Sequence, residues 1–158
     1  MNETSKLKDK FIFNWVLRNK LAIGTPPMNS EDLILLEKNK VKNILCLCSE
    51  EESKWHSDLE NSFLCDRIIL PDSNQKKLPN NIQIDKAYKT LKKLVKIDIT
   101  FIHCFASIER SPLLCIMFMI DNYNLNLEES LDYVKRVHST TNPRNNQLCL
   151  IKKYFSKT

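Results

Sequence analysis

Hydrophobic positions in this chain fall into two recurring patterns: short unbroken apolar runs, and longer stripes with helical spacing. FIFNWVLRNKLAIG, residues 11 to 24, holds two apolar segments around Arg18-Asn19-Lys20, which predicts a hairpin. TPPMNSED turns the chain, and Ser30 as N-cap, with Glu31 and Asp32 behind it, predicts a short helix over 31–39. KNILCLC (42–48), FLCDRIIL (63–70) and ITFIHC (99–104) are continuous apolar runs, the pattern of strands buried on both faces. EEESKW is read as the start of a short helix, and Pro71-Asp72-Ser73-Asn74 as a loop. From Asn81 to about Lys96, a 3.6-residue stripe (Ile84, Ala87, Tyr88, Leu91, Leu94, Val95) predicts an amphipathic helix. Residues 111–123 are apolar all round and predict a helix buried centrally. Asn126 caps the next helix, with Glu129 as its capping-box partner and a stripe of Leu127, Leu131, Val134 and Val137. NPRNN breaks that helix, and QLCLIKKYF closes the chain as the last one.

Strands alternating with helices predict a single-domain α/β fold with a mostly parallel central sheet, flanked by helices on both faces. Residues 1–10 are polar and expected to be flexible, and 11–158 to form the one domain. Sheets of this kind bind ligands beyond the carboxyl ends of their strands. Cys104 stands at such an end.

Composition adds limits. The longest apolar run, LLCIMFMI at 113–120, is far short of the roughly 20 residues that span a bilayer. MNETSKLKDK has no apolar h-region, so a cytoplasmic protein without a membrane partner is expected. Four of the six cysteines (46, 48, 65, 115) sit in apolar runs, as reduced thiols do. No Cys/His spacing of the zinc type occurs, and Cys46-Leu47-Cys48, read as alternating faces of a strand, is expected to make a poor chelate. The net charge of +5, from 24 basic and 19 acidic residues, favours anionic ligands without demanding nucleic acid. His138, at the end of an amphipathic helix, is expected at the surface.

HCFASIERSP, residues 103–112, carries the chemistry. Residues 105–110 join a strand end to the start of a buried helix, where unpartnered N–H groups and the helix dipole make an anion site. The same potential favours a thiolate at Cys104, a nucleophile for phosphorus. Arg110 can grip two phosphate oxygens through its planar fork. Ser111 can hydrogen-bond the thiolate, and Asp72, in another strand-end loop, can protonate a leaving oxygen.

HCFASIERS matches the signature HCxxxxxR[ST] of the protein tyrosine phosphatase superfamily, and the chain is similar to the small dual-specificity phosphatases. Their catalytic Asp lies roughly thirty residues before the Cys, and here Asp72 precedes Cys104 by 32. LEKNKVKNILCLC resembles their opening segment and ESLDYVKRVHSTTNPRNNQLCLIKKY their closing one, so the resemblance runs from about Leu21 to Tyr154. It implies Cys104 as the nucleophile that forms a phosphocysteine. Arg110 and the loop amides of Phe105, Ala106, Ser107, Ile108, Glu109 and Arg110 would hold the phosphoryl oxygens. Asp72 would act as acid and then base, Ser111 would help the thiolate leave, and His103 would tune it. No metal or other cofactor is implied. The implied partner is a phosphorylated protein, with phosphotyrosine and phosphoserine/threonine both accepted, and the implied enzyme is a monomer.

The loop departs from the family pattern at two places. Most members have Gly three residues after the Cys, where this chain has Ser107, and Glu109 stands next to the Arg. Rhodanese-fold cell-cycle phosphatases also have the form HCxxSxER, and offer an alternative fold ranked lower because they lack the Asp72 spacing and the closing helices. Either the loop holds its shape with Glu109 turned outward, or the protein is an impaired pseudophosphatase that binds phosphate without turnover. FASIE contains no cation, so inositol lipids are not expected as substrates.

Overall fold

A computed structural model describes residues 10–157. The expected flexible segment 1–10 lies almost wholly outside them. The chain opens with an antiparallel hairpin, β1 (Phe13–Leu17) and β2 (Leu21–Gly24). Asn19 makes the turn at φ 59°, a left-handed conformation that Asn tolerates. Gly24, the only glycine, ends β2 where a Cβ would stand 1.7 Å from the Ile12 carbonyl oxygen, so no side chain fits. Helix α1 (Ser30–Lys38) follows; its N-cap is Asn29, one residue earlier than expected, whose side chain accepts from the Asp32 amide.

Next come β3 (Asn43–Cys46), the single turn α2 (Leu59–Ser62) and β4 (Leu64–Arg67). EEESKW forms a turn rather than a helix, and its Glu52 is held by Arg110 across the sheet end. A one-turn 3₁₀ helix (Ser73–Gln75) leads to α3 (Asn81–Ile97), opened by an Asn80–Gln83 capping box. β5 (Thr100–His103) then enters the sheet, followed by α4 (Arg110–Tyr123), α5 (Leu127–Val137) and α6 (Asn145–Ser156). The Asn126–Glu129 capping box is present as predicted.

The five strands take the order β1-β2-β5-β3-β4, parallel at every pairing except the hairpin. One face of the sheet packs on α3–α6 through Leu45, Ile102, Leu91, Leu114 and Val134. The other packs on α1 and α2 through Ala22, Ile44, Phe101 and Leu36. β5 is central, and α4 is buried from Arg110 to Met119. Strand end and helix start are thus both fixed by core packing, and the six residues between them have little freedom.

Candidate active site

The loop leaves β5 after His103 and re-enters regular structure at Arg110. Its nucleophile candidate, Cys104, is 2% exposed, with Sγ 3.3 Å from Ser111 Oγ. The amides of Phe105 to Arg110 find no acceptor among the described residues. Six unfilled donors at the start of a long helix form a nest for an anion.

Ser107 holds the position where the family pattern has Gly, and its φ is 57°. A side chain in this left-handed region costs about 1 kcal/mol. The conformation is held from behind. His138 Nδ1 faces the Asn14 amide nitrogen at 2.9 Å, and that donor assigns the ring proton to Nε2. Nε2–H then donates to the Ser107 carbonyl at 2.7 Å, with Thr140 Oγ1 donating to the same oxygen at 2.9 Å. Ser107 Oγ lies 2.9 Å from His138 Nε2 and 3.4 Å from Ser111 Oγ, which continues the network to the thiol. The Asn142 amide donates to the Ile108 carbonyl at 2.8 Å. His138 is therefore fully buried, not at the surface, and burial pushes its pKa down. The signal was present: 138 continues the stripe 127, 131, 134 by one more step of four.

Arg110 is 4% exposed and bound on one side. Nη1 donates to Glu52 Oε2 at 3.0 Å and to the Leu70 carbonyl at 3.1 Å, and Nη2 donates to Glu52 Oε1 at 2.8 Å. Three of five donors are thus committed. Nε–H and the second Nη2–H, the side-on edge of the guanidinium, stay free among the described residues. Burial opposes Glu52's ionisation, but the Arg110 hydrogen bonds outweigh it and its pKa falls. Arg110's pKa is raised against burial by Glu52 and by the charge of Cys104 nearby. Glu52 was not singled out in the sequence; its signal was an acid just beyond the carboxyl end of the strand beside β5.

Asp72 caps the 3₁₀ turn beyond β4, with Asn74 donating to both of its oxygens at 3.4 Å. It lines one cavity of about 160 Å³ together with Cys104, Ile108, Glu109, Arg110 and Arg144. Glu109 is tied down at the rim, accepting from Arg144 Nε at 3.1 Å and Gln147 Nε2 at 3.2 Å. An adjoining cavity of about 240 Å³ shares Ser73 and Arg144 and adds Lys76 and Lys77, so the cations at the mouth come from outside the loop. Phe105, Ala106 and Ile108 turn outward to solvent. His103 is buried, and its Nδ1 lies 3.2 Å from the Cys104 carbonyl, so the ring is bonded to the backbone and not to the nucleophile sulfur.

Cys46, the last residue of β3, and Cys48, in the bend just past it, bring their sulfurs to the same side, which corrects the expectation of alternating faces. Their sulfurs and a His103 ring nitrogen lie within 4.8 Å of one another. The Cys48–Cys46 hydrogen bond lowers the Cys46 pKa and raises that of Cys48.

Comparison with curated protein sequences gives no match. Among solved structures, the human tyrosine phosphatase-like serine/threonine/tyrosine-interacting protein superposes with a TM-score of 0.78 at 17% identity, over 92% of this chain and 96% of that one. PTPMT1 in complex with PI(5)P gives 0.78 at 16% identity, over 92% and 95%. A mouse putative dual specificity phosphatase complexed with zinc tungstate gives 0.74 at 16% identity, over 92% and 87%. At these identities the likeness is one of fold. Residues 28–157 match the family described as dual specificity phosphatase, catalytic domain, a span that includes the whole cavity, and the chain belongs to that family.

Proposed function

We propose that this protein is a cysteine-dependent phosphatase that hydrolyses phosphomonoesters through a phosphocysteine intermediate. The observation that carries the reading is the free edge of Arg110. Glu52 and the Leu70 carbonyl occupy the other side of its guanidinium, leaving two parallel N–H groups on a residue that lines the same cavity as Cys104. That is a bidentate grip for two phosphate oxygens, and the unfilled loop amides supply the remaining donors.

The steps follow. Cys104 Sγ attacks phosphorus, and the departing ester oxygen takes a proton from Asp72. Asp72 then accepts a proton from the water that attacks the phosphocysteine. Ser111 Oγ, 3.3 Å away, donates to the sulfur as it leaves. The loop amides and Arg110 hold the negative charge in both halves. Thiolate, acid and donors come from the chain, and no step calls on a metal.

The substrate class we propose is phosphorylated protein. A small open cavity with an apolar rim residue, Ile108, accepts phosphotyrosine and phosphoserine/threonine alike. Arg144, Lys76 and Lys77 favour acidic surroundings of the phosphate. The reading also includes a monomeric cytoplasmic protein folded as one domain from residue 11. Among the described residues no helix is long and apolar enough to cross a membrane. A second reading, a phosphate-binding module without turnover, draws on the Glu109 carboxylate at the cavity rim. Its pairing with Arg144 and Gln147 favours turnover instead.

Asp72→Asn tests the assignment. The rate should fall by about 100-fold on alkyl phosphates with poor leaving groups and far less on aryl phosphates with good ones. Equal losses on both would remove Asp72 as the acid.

A further inference from the structure

Behind the loop lies a second cluster that the reaction above does not use. Cys46, Cys48 and His103 are each fully buried, and their two sulfurs and one ring nitrogen stand within 4.8 Å of one another. His103 is held in a definite way. Its Nδ1 faces the Cys104 carbonyl at 3.2 Å, and a carbonyl only accepts, so the proton sits on Nδ1. Nε2 then presents a bare lone pair, and it is a buried polar atom with no partner. A histidine whose other nitrogen is fixed by a backbone carbonyl is the arrangement found in metal ligands. Such an orphaned acceptor costs about 1–3 kcal/mol if nothing fills it.

We infer that Cys46, Cys48 and His103 form a three-coordinate site for a soft monovalent metal ion, copper(I). Two sulfurs and an imidazole nitrogen are a soft donor set, suited to copper(I) or zinc. Two features select copper(I). First, among the described residues the cluster has three ligands and no fourth His, Cys, Asp or Glu, whereas a closed structural zinc site takes four. Second, the charges balance. Arg67 Nη1 lies 3.4 Å from Cys46 Sγ and also donates to the Cys48 carbonyl. Two thiolates, one copper(I) and one guanidinium sum to zero, while zinc would leave a net positive charge in a buried pocket. Binding releases the two thiol protons to solvent, with no change in oxidation state. Ligands about 2.3 Å from a common ion in a trigonal plane stand about 4 Å apart, so the side chains close by less than about 1 Å. Arg67 stands on the edge strand β4, on the side of the cluster nearest the sheet edge. Because His103 is the residue before Cys104, an ion here stiffens the end of β5 that carries the nucleophile.

The test uses the reduced full-length chain under anaerobic conditions, with copper(I) supplied by the chelator bicinchoninate. One equivalent of copper should transfer to the protein, and X-ray absorption should show a first shell of two sulfurs and one nitrogen. Cys46→Ala and Cys48→Ala should each weaken binding by more than the roughly 100-fold that loss of an outer-shell partner costs, while Cys104→Ser and Cys149→Ser retain it. Should Cys46→Ala fail to fold, Cys48→Ser gives the same comparison. No transfer from the chelator, or binding that survives Cys46→Ala and is lost with Cys104→Ser, overturns the site. A preference for zinc with a fourth light-atom ligand overturns the copper assignment. These readouts need no turnover, so an inactive phosphatase would leave them unchanged.

Discussion

At the scale of single residues, Ser107 and His138 decide whether a loop without glycine works. Ser107 sits at φ 57° where glycine would be free of cost, and its carbonyl and hydroxyl are held by His138 and Thr140. Ser107→Ala keeps the strain and loses the hydroxyl bonds, so it should destabilise the protein by about 1 kcal/mol. Ser107→Gly loses the same bonds but relieves the strain, and should stay within about 0.5 kcal/mol of wild type. Urea midpoints measure both. His138 supplies a pH dependence. Burial lowers its pKa in the folded state, so the unfolded chain takes up a proton near pH 6.5 while the folded protein does so only at lower pH. Its contribution to stability is complete above about pH 6.5 and declines as the pH falls below that value. Urea midpoints between pH 7.5 and pH 5 should show this slope, and His138→Gln should lose it. A slope unchanged in the variant would mean that another group is titrating.

At the scale of elements, the site is an assembly of strand ends and one helix start. The turn after β3 supplies Glu52, the loop after β4 supplies Asp72, β5 and α4 supply Cys104 and Arg110, and the segments flanking α5 and α6 lock the loop from behind. Glu52→Gln tests this division of labour. Arg110 would keep its neutral contacts but lose the charged clamp that aims its free edge. kcat/KM should fall by about 100-fold, as small misplacements of catalytic groups do, with the fold intact by circular dichroism. An unchanged kcat/KM would show that the phosphate alone orients Arg110. The elements were largely legible beforehand. Helices announced themselves through stripes and capping residues, as at Asn126–Glu129, because those signals are local. Strand limits were read longer than β3 and β4 run: Leu47, Ile68 and Leu70 still donate single backbone hydrogen bonds to the neighbouring strand, but the regular ladder stops at Cys46 and Arg67. EEESKW misled because a run of helix formers was overruled by Glu52's tertiary partner, Arg110.

At the scale of the molecule, the mostly parallel sheet between helices and the family resemblance follow from a strand–helix alternation and one signature loop that could be read directly, while the strand order came only from the folded chain. What was not read was the second layer: Glu52, His138 and Arg144 meet their partners across 31 residues or more, and the Cys46–Cys48–His103 cluster lies on a face misjudged from the sequence; of these only the burial of His138 left a periodic signal. Long-range polar contacts leave no periodic trace, so only the folded chain displays them. The cavity that brings Asp72, Cys104 and Arg110 together is the proposed site of phosphate-ester hydrolysis, and the central claim is that it acts through Cys104. The measurement is steady-state hydrolysis of p-nitrophenyl phosphate in the presence of a metal chelator, on wild type and Cys104→Ser, both folded and reduced. Hydrolysis by wild type that vanishes in Cys104→Ser is the predicted result. A wild-type rate no greater than that of Cys104→Ser would contradict it and leave a phosphate-binding module.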